Sequence, residues 1–546
     1  MKKILSSSLL LIFALSATAT PRTMKQKKSA AISALCRIGN NGVRPLRAPS
    51  NAELTTLDIT KSYTVLGYET GGFAIIANDD RNEAIIGYSD AAYQSATLPD
   101  GMKWYLSAIN ESLEYSDAPR YTFMPKLEQA AGVAPLMECE WGQGEPYNNL
   151  TPRNYPTGCV ATAMAQIFYT HKYPETGQGK KFDTNTRKQI DFSSFTYDYA
   201  SMLPSYGGKY TNTQAKAVSQ LMYHCGLASD MNYDASGSGT GVDNARTACI
   251  DHFKYNSNAN VHYRYVRHQA DWMSLIYDEL DAKRPILFGA SDKKGSGGHA
   301  FVFDGYNSDG LVHVNWGWDG DCNGYYDMSL LNPTDPYKNT YEYSQGQAML
   351  TGLGLPTEKI ARVSEIITQS EFKLTYANGV VTSHDYAIFN HNYYDFSGSW
   401  GMIIESVYNP DYYEFLFGYT FKKNPIPGIN DEGSLSGIQP ITLDAELPKD
   451  LPDGKYIIYN IVQDEGSNYI NLVTAPDGVN EFYTLEKKGS DITLTQGLAT
   501  GISPVIAGSN AKTSNAVYSI DGRVMGNDIN AMGKGLYIVD GKKVMK

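Results

Sequence analysis

Nothing after residue 15 is apolar for long enough to cross a bilayer, so an integral helical membrane protein is not expected. Basic residues are in the minority. The 46 Lys and Arg face 58 Asp and Glu, a net charge of -12, which argues against nucleic acid as a partner of the chain as a whole. Cysteine is scarce, with six residues at 36, 139, 159, 225, 249 and 322, and neither these spacings nor the histidines make a zinc-binding set. The glycine-rich loop Asp234 to Gly241 lacks the spacing and the lysine of a phosphate-binding loop, so no nucleotide and no other cofactor is expected. Acids are missing altogether between residues 20 and 52, which carry seven Lys and Arg. This stretch is expected to be a solvated leader rather than a nucleic-acid arm.

What is present divides into segments. At 546 residues the chain is too long for one core and suggests roughly three or four domains. Its 42% hydrophobic and 19% charged residues are those of a globular protein, and 41 tyrosines hint at β-rich extracellular surfaces. Lys2 and Lys3, the apolar Ile4 to Leu15, and Ala17-Thr18-Ala19 read as a secretory signal over residues 1–19. From Leu54 to Tyr115 a small α+β unit is expected, with strands at 63–68, 72–77 and 83–88 and an amphipathic helix over 101–115.

The chemistry gathers around Pro156-Thr157-Gly158-Cys159. Pro156 and Gly158 break regular structure, and Val160, Met164, Ile167 and His171 recur at helical spacing, so a helix is expected to begin at Cys159. A thiol at a helix N-terminus is favoured as the nucleophilic thiolate. The residues equally admit a buried cysteine opening a core helix. Gln143, sixteen residues earlier, is a candidate oxyanion donor together with the Cys159 N–H. Further helices are expected over 211–226, 242–253 and 271–283. Then Pro285 to Gly289 forms a strand, Ser291 to Gly298 a glycine-rich loop, His299 to Tyr306 a second strand and Leu311 to Trp318 its return. His299 behind that loop is a candidate base, with Asn315 placed to hold its imidazole. Cysteine, histidine and asparagine in this order fit a thiol nucleophile, its base and an orienting group. His171, at a helix end, and His313, within a strand, rank below His299.

Four stretches, Trp141 to Asn148 with Leu150-Thr151-Pro152, Thr157 to Ala163, Gly297 to Val302 and His313 to Trp318, resemble the streptopain family of papain-like cysteine proteases. The resemblance spans roughly residues 60–355, including Phe73 to Arg81 and Ile85 to Ser89. It implies an α+β fold: a papain-like catalytic domain of one helical and one antiparallel β subdomain, preceded by a small α+β prodomain. It implies Cys159 as nucleophile, His299 as acid/base and Gln143 in the oxyanion hole, with Asn315 orienting and Trp316 and Trp318 packed around the histidine. Substrate contacts are implied at Gly298 and at Ser238 in the 236–239 loop. A thiol protease keeps Cys159 unpaired, so few or no disulfides are expected.

The expected domains are a signal peptide at 1–19 and a propeptide at 20–120, folded from about 54 to 115. A catalytic domain at 121–356, a β-sandwich at 357–495 and a C-terminal domain at 500–546 follow. The sandwich rests on strands read at 372–376, 386–389, 402–406 and 456–462. The last segment pairs Val517 to Ile520 and Leu536 to Val539 with Asp-Gly turns, and resembles sorting domains that carry proteins across the outer membrane by the type IX route. The leading expectation is a secreted or surface-exposed endopeptidase made as a zymogen. Its partners would be protein substrates, its own prodomain as inhibitor and the secretion machinery, with no nucleic acid. A Cys-His amidase or acyl-transfer enzyme on cell-wall peptides, and a non-catalytic adhesin on the same scaffold, are the alternatives.

Overall fold

The computed structural model describes residues 20–38, 54–68, 71–115, 132–267, 269–291, 298–331, 346–360, 364–368, 370–407, 412–429, 434–465, 471–475, 479–497, 517–519, 524–526, 536–539 and 542–545. The signal peptide, the interior of the 291–298 loop and the turns at 521–522 and 540–541 lie outside the described residues.

The α-helices among the described residues are α1 (Met24–Ile38), α2 (Asp100–Tyr115), α3 (Cys159–His171), α4 (Asn212–Ala228), α5 (Val242–Asp251) and α6 (Gln269–Asp281). Strands β1 (Thr55–Ile59), β2 (Tyr63–Gly67), β3 (Phe73–Ala77) and β4 (Ile85–Ser89) precede α2, and a small hairpin, β5 (Lys180–Asp183) with β6 (Lys188–Asp191), follows α3. Then come β7 (Asn260–Tyr263), β8 (Ile286–Ser291), β9 (Gly298–Tyr306), β10 (Val312–Asn315), β11 (Gly324–Tyr326) and β12 (Ala348–Thr351).

Apart from the hairpin, these strands form one ten-stranded sheet in the order β1-β2-β3-β4-β11-β10-β9-β8-β12-β7. The first four come from the expected prodomain. The seam is β4 on β11, where Gly324, Tyr325 and Tyr326 pair antiparallel with Ser89, Tyr88 and Gly87. Gly87 must be a glycine, because a Cβ there would lie 2.5 Å from the Tyr326 ring and 2.9 Å from the Tyr325 carbonyl. Strands β1 to β4 therefore continue the sheet of β7 to β12.

Strand alternation sends successive side chains to opposite faces. One face carries Val65, Phe73, Ile75, Phe288, Ala290, Phe301, Phe303 and Val314, packed under Met102 and Tyr105 of α2 and Trp272 and Ile276 of α6. The other face carries Leu287, Ala300, Val302 and Leu350 under α3, α4 and α5. At the prodomain end that second face is completed by Leu66, Ala74, Ile76 and Tyr88 under Ala31, Ala34 and Leu35 of α1.

Helix α1 corrects the expectation that residues 20–52 are an unpacked leader. Thr23 and Gln26 form a reciprocal cap: Thr23 N donates to Gln26 Oε1 at 2.8 Å and Gln26 N to Thr23 Oγ1 at 3.3 Å. Ala31, Ala34 and Leu35 fall on one helical face. Lys27, read as solvated, is buried, with its ammonium donating to Asn78 Oδ1 at 2.6 Å and Thr64 Oγ1 at 3.1 Å. Burial, and after it the Arg22 charge, holds this amine below its ordinary value.

Beyond residue 356 lies a β-sandwich. One sheet joins β13 (Ile366–Ile367), β14 (Lys373–Ala377), β15 (Val380–Asn390) and β18 (Ser436–Glu446); the other joins β16 (Ser399–Ser406), β17 (Tyr413–Thr420), β19 (Gly454–Gln463), β20 (Asn471–Leu472), β21 (Phe482–Lys488) and β22 (Asp491–Gln496). Trp400, Met402 and Ile404 alternate inward against Tyr386, Ile388, Tyr456 and Ile458. Strands β23 (Val517–Ser519), β24 (Val524–Gly526), β25 (Leu536–Val539) and β26 (Lys542–Met545) form the two expected hairpins, which join through β23 and β25 into a single sheet. All six cysteines are thiols. No described helix is long and apolar enough to cross a membrane.

Candidate active site

Helix α3 starts at Cys159 because Gly158 turns the chain there with φ 87° and ψ 137°, and no side chain caps the first turn. Residues Val160 to Tyr169 are all buried, so the helix is held on every side and the position of its first residue is set by packing. A Cβ at position 158 would meet Met231 Sδ at 2.5 Å and the Ser238 carbonyl oxygen at 3.1 Å. Gly158→Ala is therefore expected to cost roughly 1–3 kcal/mol of stability, from positive φ together with the clash, and to shift the thiol. Urea unfolding and the alkylation rate of Cys159 would measure both.

The half-buried Cys159 thiol feels opposed influences. Burial comes first and pushes it up; the backbone N–H groups of Ala300, Val160 and Cys159 itself pull it down; the Asp100 carboxylate raises it again. The balance lies above the ordinary 9.0. The N–H groups are those of an open helix N-terminus and an adjacent strand, the arrangement that holds an anion. Asp100 is the first residue of α2, so the unit expected as the prodomain reaches the neighbourhood of the Cys159 thiol.

Gln143 is half-buried, and its carbonyl accepts the Thr157 N–H at 3.1 Å, which ties its backbone to the residue two before Cys159. Thr157 and Thr162 hydroxyls meet at 2.8 Å, and Gln166 Oε1 accepts the Trp141 N–H at 3.2 Å, so α3 carries the 141–143 segment with it. Ser238 is buried on the 232–239 loop, whose ends are bridged by reciprocal hydrogen bonds between Asn232 and Gly239 at 3.0 and 3.1 Å. Cys159, Gln143 and Ser238 thus sit around one turn.

His299 is on β9, opposite Ala290, while Ala300 is opposite Gly289. Ala290, Phe301 and Phe303 share the face under α2 and α6, and Ala300 and Val302 face α3. Alternation puts His299 on the face of Ala290 and Phe301, the one that α2 covers. Helix α2 is close there: Trp104 Nε1 donates to the Ser291 carbonyl at 3.1 Å, and a Cβ on Gly101 would lie 2.9 Å from the Trp316 ring. Gly298 is exposed at the head of the strand.

Asn315 pairs with Val302, so it lies on the face opposite His299. Its Nδ2 donates to the Cys139 carbonyl at 2.8 Å and its Oδ1 accepts the Gly317 N–H at 3.0 Å. In this arrangement it shapes the turn after β10. Trp316 is buried; its indole N–H donates to the Cys322 carbonyl at 2.9 Å, and its ring packs on Phe301 at 4.7 Å and on Tyr105 of α2 at 6.2 Å. Gly317, with φ 71°, ends the strand before Trp318, which is partly exposed. The competing histidines are engaged elsewhere: His171 Nδ1 with Tyr255 OH at 3.0 Å, and His313 Nδ1 with Asp304 Oδ1 at 2.5 Å. Among the described residues no cluster of three or more His, Cys, Asp or Glu could hold a metal ion.

Sequence reasoning passed over the Ala300 N–H, Asp100 and Met231. The Asp100-Gly101 pair opening α2 was a local signal for a close helix approach. The contacts of Ala300 and Met231 arise only from folding.

The model of the peptidase C10 family matches residues 141–326. Streptopain of Streptococcus pyogenes is 31% identical over 298 residues, 50% of this chain and 74% of streptopain. The thiol protease/hemagglutinin PrtT of Porphyromonas gingivalis is 32% identical over 291 residues, 48% of this chain and 33% of that protein. Among solved structures, a prointerpain A fragment of Prevotella intermedia has 37% sequence identity and a TM-score of 0.49, covering 55% of this chain and 98% of the fragment.

Proposed function

Because this chain belongs to the peptidase C10 family, the streptopain family of papain-like cysteine proteases, we propose that it is a latent endopeptidase precursor acting through Cys159 and His299. The observation that carries this reading is the half-buried thiol at the start of α3, a helix end that no side chain caps. Once α2 leaves, the head of β9 is able to turn, because Gly298 is its first residue, and His299 reaches Cys159. The thiol proton passes to the imidazole. The thiolate attacks the carbonyl carbon of a peptide bond, and the oxyanion is held by the Cys159 N–H and the Gln143 amide. His299 returns its proton to the leaving amine, giving a thioester. Water then attacks that thioester, losing a proton to His299, and the carboxylic acid departs as the thiol is restored.

Ser238 and Gly298 would bound the substrate cleft, with Trp318 beside it. Residues 20–120 act as the intramolecular inhibitor, and the helix α1 that precedes residue 54 belongs to that unit. The signal-like residues 1–19 and the small C-terminal sheet support export to the cell surface or beyond, with extracellular proteins as substrates.

The test is a mass spectrum of the protein after prodomain removal, incubated with casein and separately with a thiol-directed inhibitor. Casein fragments and a label on Cys159 are expected; intact casein would reject the reading. Gln143→Ala is expected to lower turnover on the order of a hundredfold, about 3 kcal/mol, with little change in affinity. An effect confined to affinity would make Gln143 a binding residue.

A further inference from the structure

The β-sandwich has no part in the chemistry described above, yet one of its side chains reaches the catalytic domain close to the cleft. Tyr393, between β15 and β16, donates its hydroxyl to Asp243 Oδ1. Tyr263 of β7 donates to the same oxygen, and the two tyrosine hydroxyls lie 3.0 Å apart. Burial, and after it the Asp243 charge, pushes the Tyr263 phenol far up, so it remains a donor. The Arg246 guanidinium lies over the Tyr393 ring, 4.8 Å from its centroid.

Asp243 stands in the first turn of α5, whose N-cap, Gly241, offers no side-chain cap. That turn leads directly out of the 232–241 loop. Asn244 Nδ2 donates to Thr240 Oγ1 at 3.0 Å, and Thr240 Oγ1 donates to the Ser229 carbonyl at 2.5 Å, so the loop's second arm is fastened to α5. At its tip the Ser238 carbonyl faces Gly158, where a Cβ would lie 3.1 Å from it. Val242 also packs against Gly289, the partner of Ala300 in the ladder. A continuous set of contacts thus runs from the sandwich to the turn that presents Cys159.

We propose that Tyr393 is a positioning residue for peptide binding: by holding Asp243 it fixes the start of α5 and, through it, the loop that carries Ser238 beside the nucleophile. The sandwich is then a working part of the cleft, and the substrate it helps to seat is an extended peptide lying over the 236–239 loop. The inference rests on the proposed peptidase function. Tyr393 touches no reacting atom, so its loss weakens ground state and transition state alike and is read in KM.

Tyr393→Phe keeps the ring and its packing on Arg246 while removing one donor. Docking of the sandwich does not depend on that donor, because Asn260 Nδ2 also donates to Asn392 Oδ1 at 3.2 Å and Arg267 pairs with Glu365 at 2.7 Å. In the processed protein with its sandwich retained, Tyr393→Phe is expected to raise KM for a fluorogenic peptide about fivefold and to leave kcat within about twofold. Asp243→Ala is expected to raise KM comparably, with nothing added when the two are combined, since both act through one oxygen. Asp243→Asn, which keeps an acceptor oxygen, should fall nearer to wild type. An unmoved KM in Tyr393→Phe, a loss confined to kcat, or additive effects in the double variant would overturn the inference. A wild-type protein that hydrolyses no peptide would instead overturn the function on which it rests.

Discussion

At pH 6 the Cys159 thiol of the full-length precursor is expected to react with iodoacetamide about a thousandfold more slowly than that of the protein freed of its prodomain. In the precursor, burial first and then Asp100 outweigh the backbone N–H groups and hold the thiol above its ordinary value. The reactive thiolate is then less than about one part in a thousand at pH 6. The sign is that of an acid whose charged form is disfavoured: reactivity in the precursor should climb with pH through 9 and beyond, while the processed protein stays reactive in mild acid. Removing α2 takes away Asp100 and uncovers the face on which His299 lies, which opens the way to the proposed thiolate-imidazolium pair. Peptide mapping separates Cys159 from the exposed Cys36 of the prodomain and from the buried Cys139, Cys225, Cys249 and Cys322. His299→Ala in the processed protein should return most of the precursor's slowness at pH 6. Equal rates in precursor and processed protein would show that the prodomain does not silence the thiol.

Replacing Glu365 with glutamine is expected to cost about 3–5 kcal/mol in the unfolding of the catalytic and sandwich domains, because it leaves a buried cation without its carboxylate. Glu365 is wholly buried where the two domains meet. Its Oε1 accepts Arg267 Nε at 2.7 Å and its Oε2 lies 3.1 Å from His262 Nδ1 and 3.7 Å from His391 Nδ1. His262 Nε2 continues to Thr351 Oγ1 at 3.1 Å, and His391 Nε2 to Tyr265 OH at 3.0 Å. Burial alone would raise the Glu365 carboxyl, but the Arg267 charge, followed by His262, outweighs it and holds the group well below its ordinary 4.5.

A carboxylate depressed in the folded state binds its proton more readily when unfolded, so its contribution is complete above the unfolded value and fades as pH falls below it. The difference in urea midpoint between wild type and Glu365→Gln should therefore be full at pH 7 and shrink as pH drops from about 4.5 towards 3. A gap that is absent at pH 7, or unchanged at pH 3, would remove Glu365 from this role.

How much of this was legible without coordinates depends on how local each cause is. Gly158 before Cys159 and the periodic Val160, Met164, Ile167 and His171 state a helix and its first residue, because turn strain and helical spacing act within a few residues. Helix α1 was equally local: the Thr23 and Gln26 cap and the Ala31, Ala34 and Leu35 stripe were present, but the run of lysines and arginines around them was read as solvated. Lys27 shows why charge alone misleads, since its ammonium is satisfied by Asn78 and Thr64, far away in sequence.

The strand from His299 to Tyr306 was visible, but not the identity of what covers each of its faces. Only the tertiary structure decided that His299 lies under α2 while Ala300 faces the thiol, and that Asn315, paired with Val302, lies on the side away from the imidazole. It also decided that Glu365 joins Arg267 and His262 across about a hundred residues, and that Tyr393 shares Asp243 with Tyr263. The sequence by itself determined the helix that begins at Cys159 and the strands on either side of the 291–298 loop, because these follow from backbone conformation and short-range periodicity. Face, register and long-range pairing depend on which surfaces exclude water from one another, and that is settled only when the whole sheet is assembled.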